Sequence, residues 1–133
     1  MSRILVTGIN SPLGQAVGRK LQAEGTTVVG TVRSSKINTQ GLPANELVAL
    51  DLENKATFTN VSGTFATFVH VAGMSTGSAT EMMMSNGLGT HYLISRAKEL
   101  SLPRFIHISS MAVYGLGIEE IIGENSPISH GNA

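Results

Sequence analysis

The 133-residue chain contains neither cysteine nor tryptophan. Without cysteine there is no disulfide, no thiolate nucleophile and no cysteine-ligated metal. Net charge is missing as well. Nine Lys and Arg balance nine Asp and Glu, so no overall field draws the chain to nucleic acid or to an anionic membrane surface. His70, His91, His107 and His130 are scattered, without the one-turn spacing that a helical metal site uses. No apolar run is long enough to span a bilayer. The N-terminus passes from Met-Ser-Arg straight into a strand pattern, without the apolar core of a signal peptide. These absences lead to the expectation of a cytoplasmic protein with no nucleic-acid and no membrane partner. At 41% hydrophobic and 14% charged residues the composition is that of a globular domain. The length suits one domain with a real core.

What is present begins with Ile4-Leu5-Val6-Thr7-Gly8-Ile9-Asn10-Ser11-Pro12-Leu13-Gly14. A short apolar strand runs into a glycine turn and then a helix start, the arrangement that presents backbone N–H groups and a helix dipole to a pyrophosphate. Gly8 turns the chain without a Cβ clash, and Gly14 lets the helix press close. Thr7, Gly8, Ser11, Leu13 and Gly14 are the candidate cofactor-binding residues of this turn. Ser11 stands where a middle glycine is usual. It is a good helix cap ahead of Pro12, and its hydroxyl is also placed to meet a phosphate.

Strand and helix patterns then alternate. Strands are expected at Arg3–Thr7, Thr27–Val32, Glu46–Leu50, Thr67–Val71 and Arg104–Ser109. A first helix is expected from Pro12 to about Glu24, a short one over Lys55–Asn60, and a long one from about Ser78 to Leu100, stopped by Pro103. In the long helix, Met82, Asn86, Gly89, Leu93, Ala97 and Leu100 form a stripe for the sheet. Met84, Leu88 and Tyr92 form a second face, a candidate homodimer surface over 78–100. Gly123 to Ala133 reads as loop. Right-handed crossovers arrange the strands as a doubly wound parallel sheet of Rossmann type, order 3-2-1-4-5. A ligand belongs at the switch point between the first and fourth strands. Gly8, Arg33, Asp51, Ala72 and Ser110 all fall at strand carboxyl ends around it.

Five blocks in this order resemble the extended short-chain dehydrogenase/reductase family, the NAD-dependent epimerase/dehydratase type. They are Thr7-Gly8 with Gly14, Asp51-Leu52, His70-Val71-Ala72-Gly73, Asn86-Gly87-Leu88-Gly89-Thr90, and His107-Ile108-Ser109-Ser110-Met111-Ala112-Val113-Tyr114-Gly115. The resemblance implies that Asp51 and Leu52 contact the adenine and that Val71, Ala72 and Gly73 line the cofactor. It also implies that Ser110 is the active-site hydroxyl that binds the reacting oxygen. Asp51 also reads as a helix cap, and Ser109 as a strand end. Asn86 anchors an active-site water or backbone, or equally satisfies the helix and sheet. The family's proton transfer uses a tyrosine with lysine four residues on. Here Tyr92 is followed at that spacing by Arg96 and Tyr114 by Ile118. The family's element would fall at or just past Ala133, so residues 1–133 are expected to be an incomplete member. They would lack the last strands, the catalytic helix and the substrate domain, and would be inactive alone.

After the second strand an acidic residue would favour NAD. The chain has Val32-Arg33-Ser34-Ser35 instead, and a guanidinium with neighbouring hydroxyls suits a 2′-phosphate. NADP(H) is therefore expected ahead of NAD(H), with a solvated or adenine-stacked Arg33 as the alternative. Three functions remain open. One is the cofactor-binding portion of an epimerase or dehydratase acting on a nucleotide sugar. The others are an NADPH-dependent ketone or aldehyde reductase, and a non-catalytic dinucleotide-binding regulator.

Overall fold

The strand–helix alternation closes into one layered α/β unit in the computed structural model, which describes residues 2–115 and 120–129. Ile118 and His130, like Ala133, lie outside the described residues. The elements are β1 (Arg3–Thr7), α1 (Pro12–Ala23), β2 (Thr27–Val32), β3 (Glu46–Ala49), β4 (Thr67–His70), α2 (Ala79–Met82), α3 (Thr90–Glu99) and β5 (Phe105–His107). Short 3₁₀ turns cover Lys55–Asn60 and Met111–Tyr114. All strand pairs are parallel, in the order β3-β2-β1-β4-β5. This is the Rossmann-type sheet expected from the sequence.

Period-two alternation sorts the strand residues onto two faces. Leu5, Val29 and Phe68 stand opposite one another in register. They pack with Leu52, Phe58, Leu93 and Ala97 on the α3 side. Val6, Val28 and Val69 pack with Ile9, Val17 and Leu21 on the α1 side. At the amino ends of the strands, the Arg3 guanidinium grips Glu46 through two contacts of 2.6 and 3.3 Å. That hydrogen bond holds the Glu46 carboxyl below the usual carboxylate range.

The long helix departs from the expected single run. α2 opens with a capping box in which Ser78 and Glu81 bond reciprocally. Residues Met83–Gly89 then form a π-helical stretch before α3 begins. The wider turn shifts the buried line, so that Ser85, Gly89, Leu93 and Ala97 face inward while Met82 and Asn86 are only half-buried. Of the second expected face, Tyr92 turns inward and packs edge-on against Phe58, with ring centroids 5.7 Å apart. Met83, Met84 and Ile94 stay exposed.

A buried polar network ties β1 to β4 at their carboxyl ends. Thr7 is completely buried. Its Oγ1 accepts the N–H groups of Val71 and Ala72, both at 3.0 Å. The hydroxyl proton is thereby free for His70 Nδ1, 2.8 Å away. With Nδ1 accepting, the imidazole proton sits on Nε2 and is donated to Thr90 Oγ1 at 2.9 Å. Burial, reinforced by the neighbouring His107, lowers the His70 pKa to about 4. Thr7, expected at the cofactor, instead holds the wall behind it, because strand alternation turns its side chain to the same face as Leu5.

Two outcomes are expected. An added Cβ at Gly14 would be driven into the Gly8 carbonyl, and overpacking of about 1–3 kcal/mol outweighs the helix-propensity gain. Gly14→Ala should therefore lose about 2 kcal/mol of stability in urea unfolding. Gly87→Ala, where nothing lies within 4 Å of the new Cβ, should be neutral or stabilising. The second outcome concerns pH. His70 binds a proton more readily unfolded (ordinary value 6.5) than folded (about 4). Its contribution is thus complete above the unfolded value and is lost as pH falls through that window, up to about 3 kcal/mol in all. The non-titrating variant His70→Gln should flatten that slope. An equally steep acid loss in the variant would assign the slope to other groups.

Candidate functional site

The turn after β1 is built by local hydrogen bonds. Gly8 takes a positive φ of 66°, which glycine adopts without strain. Ser11 caps α1: its Oγ accepts the Gly14 N–H at 3.0 Å and donates to the Gly8 carbonyl at 2.8 Å. The one hydroxyl proton is thus used within the turn. Pro12 offers no N–H, and the Leu13 N–H has no hydrogen-bond partner among the described residues. It stands at the positive end of the α1 dipole, where an anionic oxygen is favoured.

Beside this turn, at the carboxyl ends of the strands, a crevice of about 290 Å³ opens. Gly8 and Ser11 form one wall and Val71, Ala72 and Gly73 the other. Its outer end carries Arg33, Asp51, Leu52 and Glu53. A second crevice, of about 320 Å³, adjoins it across the same Val71–Gly73 wall and reaches Asn86, His107, Ser109 and Ser110. The two lobes meet at the wall that Thr7 and His70 hold from behind.

Asn86 fixes that wall from the helix side. Its side chain accepts the Met74 N–H at 2.7 Å and donates to the Met74 carbonyl at 2.8 Å. Of the readings open for it, the structure shows the backbone anchor. Gly73 lies so close that a Cβ there would be 3.1 Å from Asn86 Oδ1. Ser110 opens the second lobe as an exposed residue whose Oγ accepts the Ala112 N–H at 3.2 Å. Tyr92, the described tyrosine followed four residues on by a cation, is engaged with Phe58 and Lys55. Arg96 is tied to the Val61 carbonyl and to Glu99. That pair is structural.

At the outer end of the first lobe, Arg33 meets two carboxylates. Its Nη2 lies 3.2 Å from Glu53 Oε2, and its Nε lies 3.6 Å from Asp51 Oδ1. Asp51 Oδ1 also accepts the Glu53 N–H at 3.1 Å, so Asp51 caps its own turn as well as facing the crevice. Gly8, Ser11, Arg33, Asp51, Leu52, Val71, Ala72 and Gly73 thus converge on the first lobe, and Asn86 and Ser110 on the second. Thr7, Leu13 and Gly14 line neither. Glu53 was not singled out from the sequence. Its signal, a second acid two residues after Asp51, gains meaning only through Arg33, twenty positions away in the chain. His70 carries no sequence signal for its buried network, whose partners Thr7 and Thr90 are equally non-local.

Comparison with known proteins follows this geometry. A model of the NAD dependent epimerase/dehydratase family matches residues 4–132. A dTDP-glucose 4,6-dehydratase of Streptomyces niveus is 40% identical over 65 residues, covering 49% of this chain and 19% of the relative. A 4-hydroxy-2-methyl-3-oxo-4-farnesyl-3,4-dihydroquinoline-1-oxide ketoreductase of Stigmatella aurantiaca is 29% identical over 119 residues, 86% of this chain and 35% of the relative. Among solved structures, a short-chain dehydrogenase/reductase superfamily protein of Agrobacterium tumefaciens with bound NAD superposes with a TM-score of 0.81 at 26% identity, covering 98% of this chain and 40% of that one. The chain therefore spans well under half the length of these relatives. Blocks, sheet order and site geometry agree with the family match, and the chain belongs to the NAD-dependent epimerase/dehydratase family.

Proposed function

We propose that this chain is the dinucleotide-binding part of an oxidoreductase of the epimerase/dehydratase type, acting on a nucleotide sugar. The observation that carries the reading is the two-lobed crevice divided by the Val71–Gly73 wall. One lobe ends in ribose-type partners, Arg33 and Asp51, and the other in the Ser110 hydroxyl. The donor set fits a dinucleotide. The N-terminus of α1 with its Leu13 N–H suits the pyrophosphate, the apolar Val71–Ala72 wall suits a flat ring, and Ser110 faces the space beyond. When bound, the nicotinamide supplies hydride transfer. The chain's own residues bind and orient, and Ser110 donates a hydrogen bond to a reacting oxygen. The nucleotide-sugar reading is supported by the dTDP-glucose 4,6-dehydratase relative. A second reading, reduction of a ketone, is favoured by the ketoreductase relative, which aligns over most of this chain.

Arg33 supports NADP(H) ahead of NAD(H). It is exposed at the end of β2, lines the lobe where an adenine ribose belongs, and is followed by Ser34 and Ser35. Isothermal titration should show tighter binding of NADP⁺ than of NAD⁺. Arg33→Ala should cost about 1.5–3 kcal/mol of NADP⁺ affinity, the scale of a hydrogen bond to a charged group, and change NAD⁺ little. Equal losses for both cofactors would assign Arg33 a role other than phosphate recognition.

The described residues offer Ser110 but no free tyrosine–lysine pair to move a proton, and general acid–base catalysis contributes about 10²–10⁴-fold. Residues 1–133 alone should bind cofactor and show no turnover with nucleotide sugars or simple ketones, followed by nicotinamide absorbance. Measurable turnover would place the acid–base group within this chain.

A further inference from the structure

The first lobe contains two acids and one base at its ribose end. Among the described residues that line it, Arg33 is the sole cation, and Asp51 and Glu53 are the anions. Glu53 makes the shorter of the two contacts to Arg33, 3.2 Å against 3.6 Å. Its own N–H is bonded to Asp51 Oδ1, which fixes both carboxylates in one turn facing the guanidinium. A 2′-phosphate entering this corner needs the Arg33 donors that Glu53 already occupies.

We propose that Glu53 is a specificity-determining residue that competes with a cofactor 2′-phosphate for Arg33, and so narrows the margin between NADP(H) and NAD(H). The proposal rests on the reading of Arg33 as the 2′-phosphate contact and goes beyond it, because it assigns a role to a residue with no part in that reading. The pair is half-exposed, with Arg33 and Glu53 side chains 60% and 31% accessible. Such pairs are weak and exchange partners readily. Arg33 can therefore leave Glu53 when a doubly charged phosphate arrives, and the ion pair acts as a competitor rather than a block. An uncharged ribose hydroxyl makes no such demand on Arg33, so NAD⁺ is indifferent to the contact.

Replacing Glu53 with glutamine keeps the shape and removes the charge. Titrations of NADP⁺ and NAD⁺ are compared across the wild-type chain, Glu53→Gln, Arg33→Ala and the double variant. Glu53→Gln should tighten NADP⁺ about threefold or more, leave NAD⁺ within twofold, and show a smaller gain as salt screens the charges. The gain should vanish in the Arg33→Ala background, because there is no guanidinium left to release. The ratio of the two cofactors within one variant cancels any general loss of folding. Several results would overturn the proposal. These are unchanged NADP⁺ affinity in Glu53→Gln, an equal gain for both cofactors, or a gain that persists without Arg33, which would make Glu53 a direct repeller of phosphate. If Arg33→Ala alone leaves NADP⁺ binding intact, the reading of Arg33 fails, whatever Glu53 does.

Discussion

The Thr7 hydroxyl is the contact on which the site depends. In a parallel sheet the first and fourth strands part at their carboxyl ends, and backbone N–H groups just beyond β4 lose their sheet partners there. Thr7 Oγ1 accepts two of them, those of Val71 and Ala72, and passes its own proton to His70. One buried oxygen thereby fixes the segment that becomes the shared wall of both lobes. The His70 imidazole extends the chain to Thr90, so the wall, the sheet and α3 are joined by side-chain hydrogen bonds. Such a network is stable when every member is satisfied and costly when one is removed. No buried side-chain polar atom lacks a partner among the described residues.

Close backbone approach does the rest of the positioning. Gly14 sets α1 against the Gly8 carbonyl, which brings the helix N-terminus to the crevice. Gly89 sets the π-helical stretch against Leu52, where a Cβ would come within 2.7 Å of the Leu52 Cβ. The π-helical stretch also turns Asn86 toward Met74, which it holds at both backbone atoms. The irregular turn thus pins the loop after β4 from one side while Thr7 pins it from the other. π-Helical insertions recur at functional sites for this kind of reason.

The fold and most of the first lobe were legible in the sequence, because both rest on local signals. Strand and helix periods placed the elements, and right-handed crossovers ordered the strands. The carboxyl-end positions of Gly8, Arg33, Asp51 and Ala72 gave the crevice. What was not legible depended on side-chain direction or on distant pairs. Thr7 reads as a cofactor contact beside Gly8, yet the alternation that buries Leu5 sends Thr7 to the same inner face. The stripe over the long helix assumed one pitch throughout, and seven residues of π-helix, Met83–Gly89, moved its first half. Tyr92 reads as outward-facing until Phe58, from a separate 3₁₀ turn, supplies its partner. Glu53 carries no motif at all, since its meaning lies in the guanidinium it meets across the turn.

The two lobes differ in how deeply they are rooted. Of the residues lining the first, Thr31, Leu50, Leu52 and Ser85 are buried, so its base is part of the core. The second rests on β5, a three-residue strand with Ile106 and Ile108 about two-fifths exposed. It is joined to the core by the β4–β5 ladder, by Phe105 packed on Phe68, and by the His107 ring, tilted 33° against His70 with centroids 5.4 Å apart. The Thr7–His70 network therefore supports both lobes through the Val71–Ala72 backbone they share, and the second also through the His107 ring contact. A change inside the network moves both lobes together. Changes at Arg33 or Glu53, out at the rim, stay confined to one. Arg33 and Glu53, on which the proposed cofactor choice rests, are thus separate from the buried network that builds the shared wall.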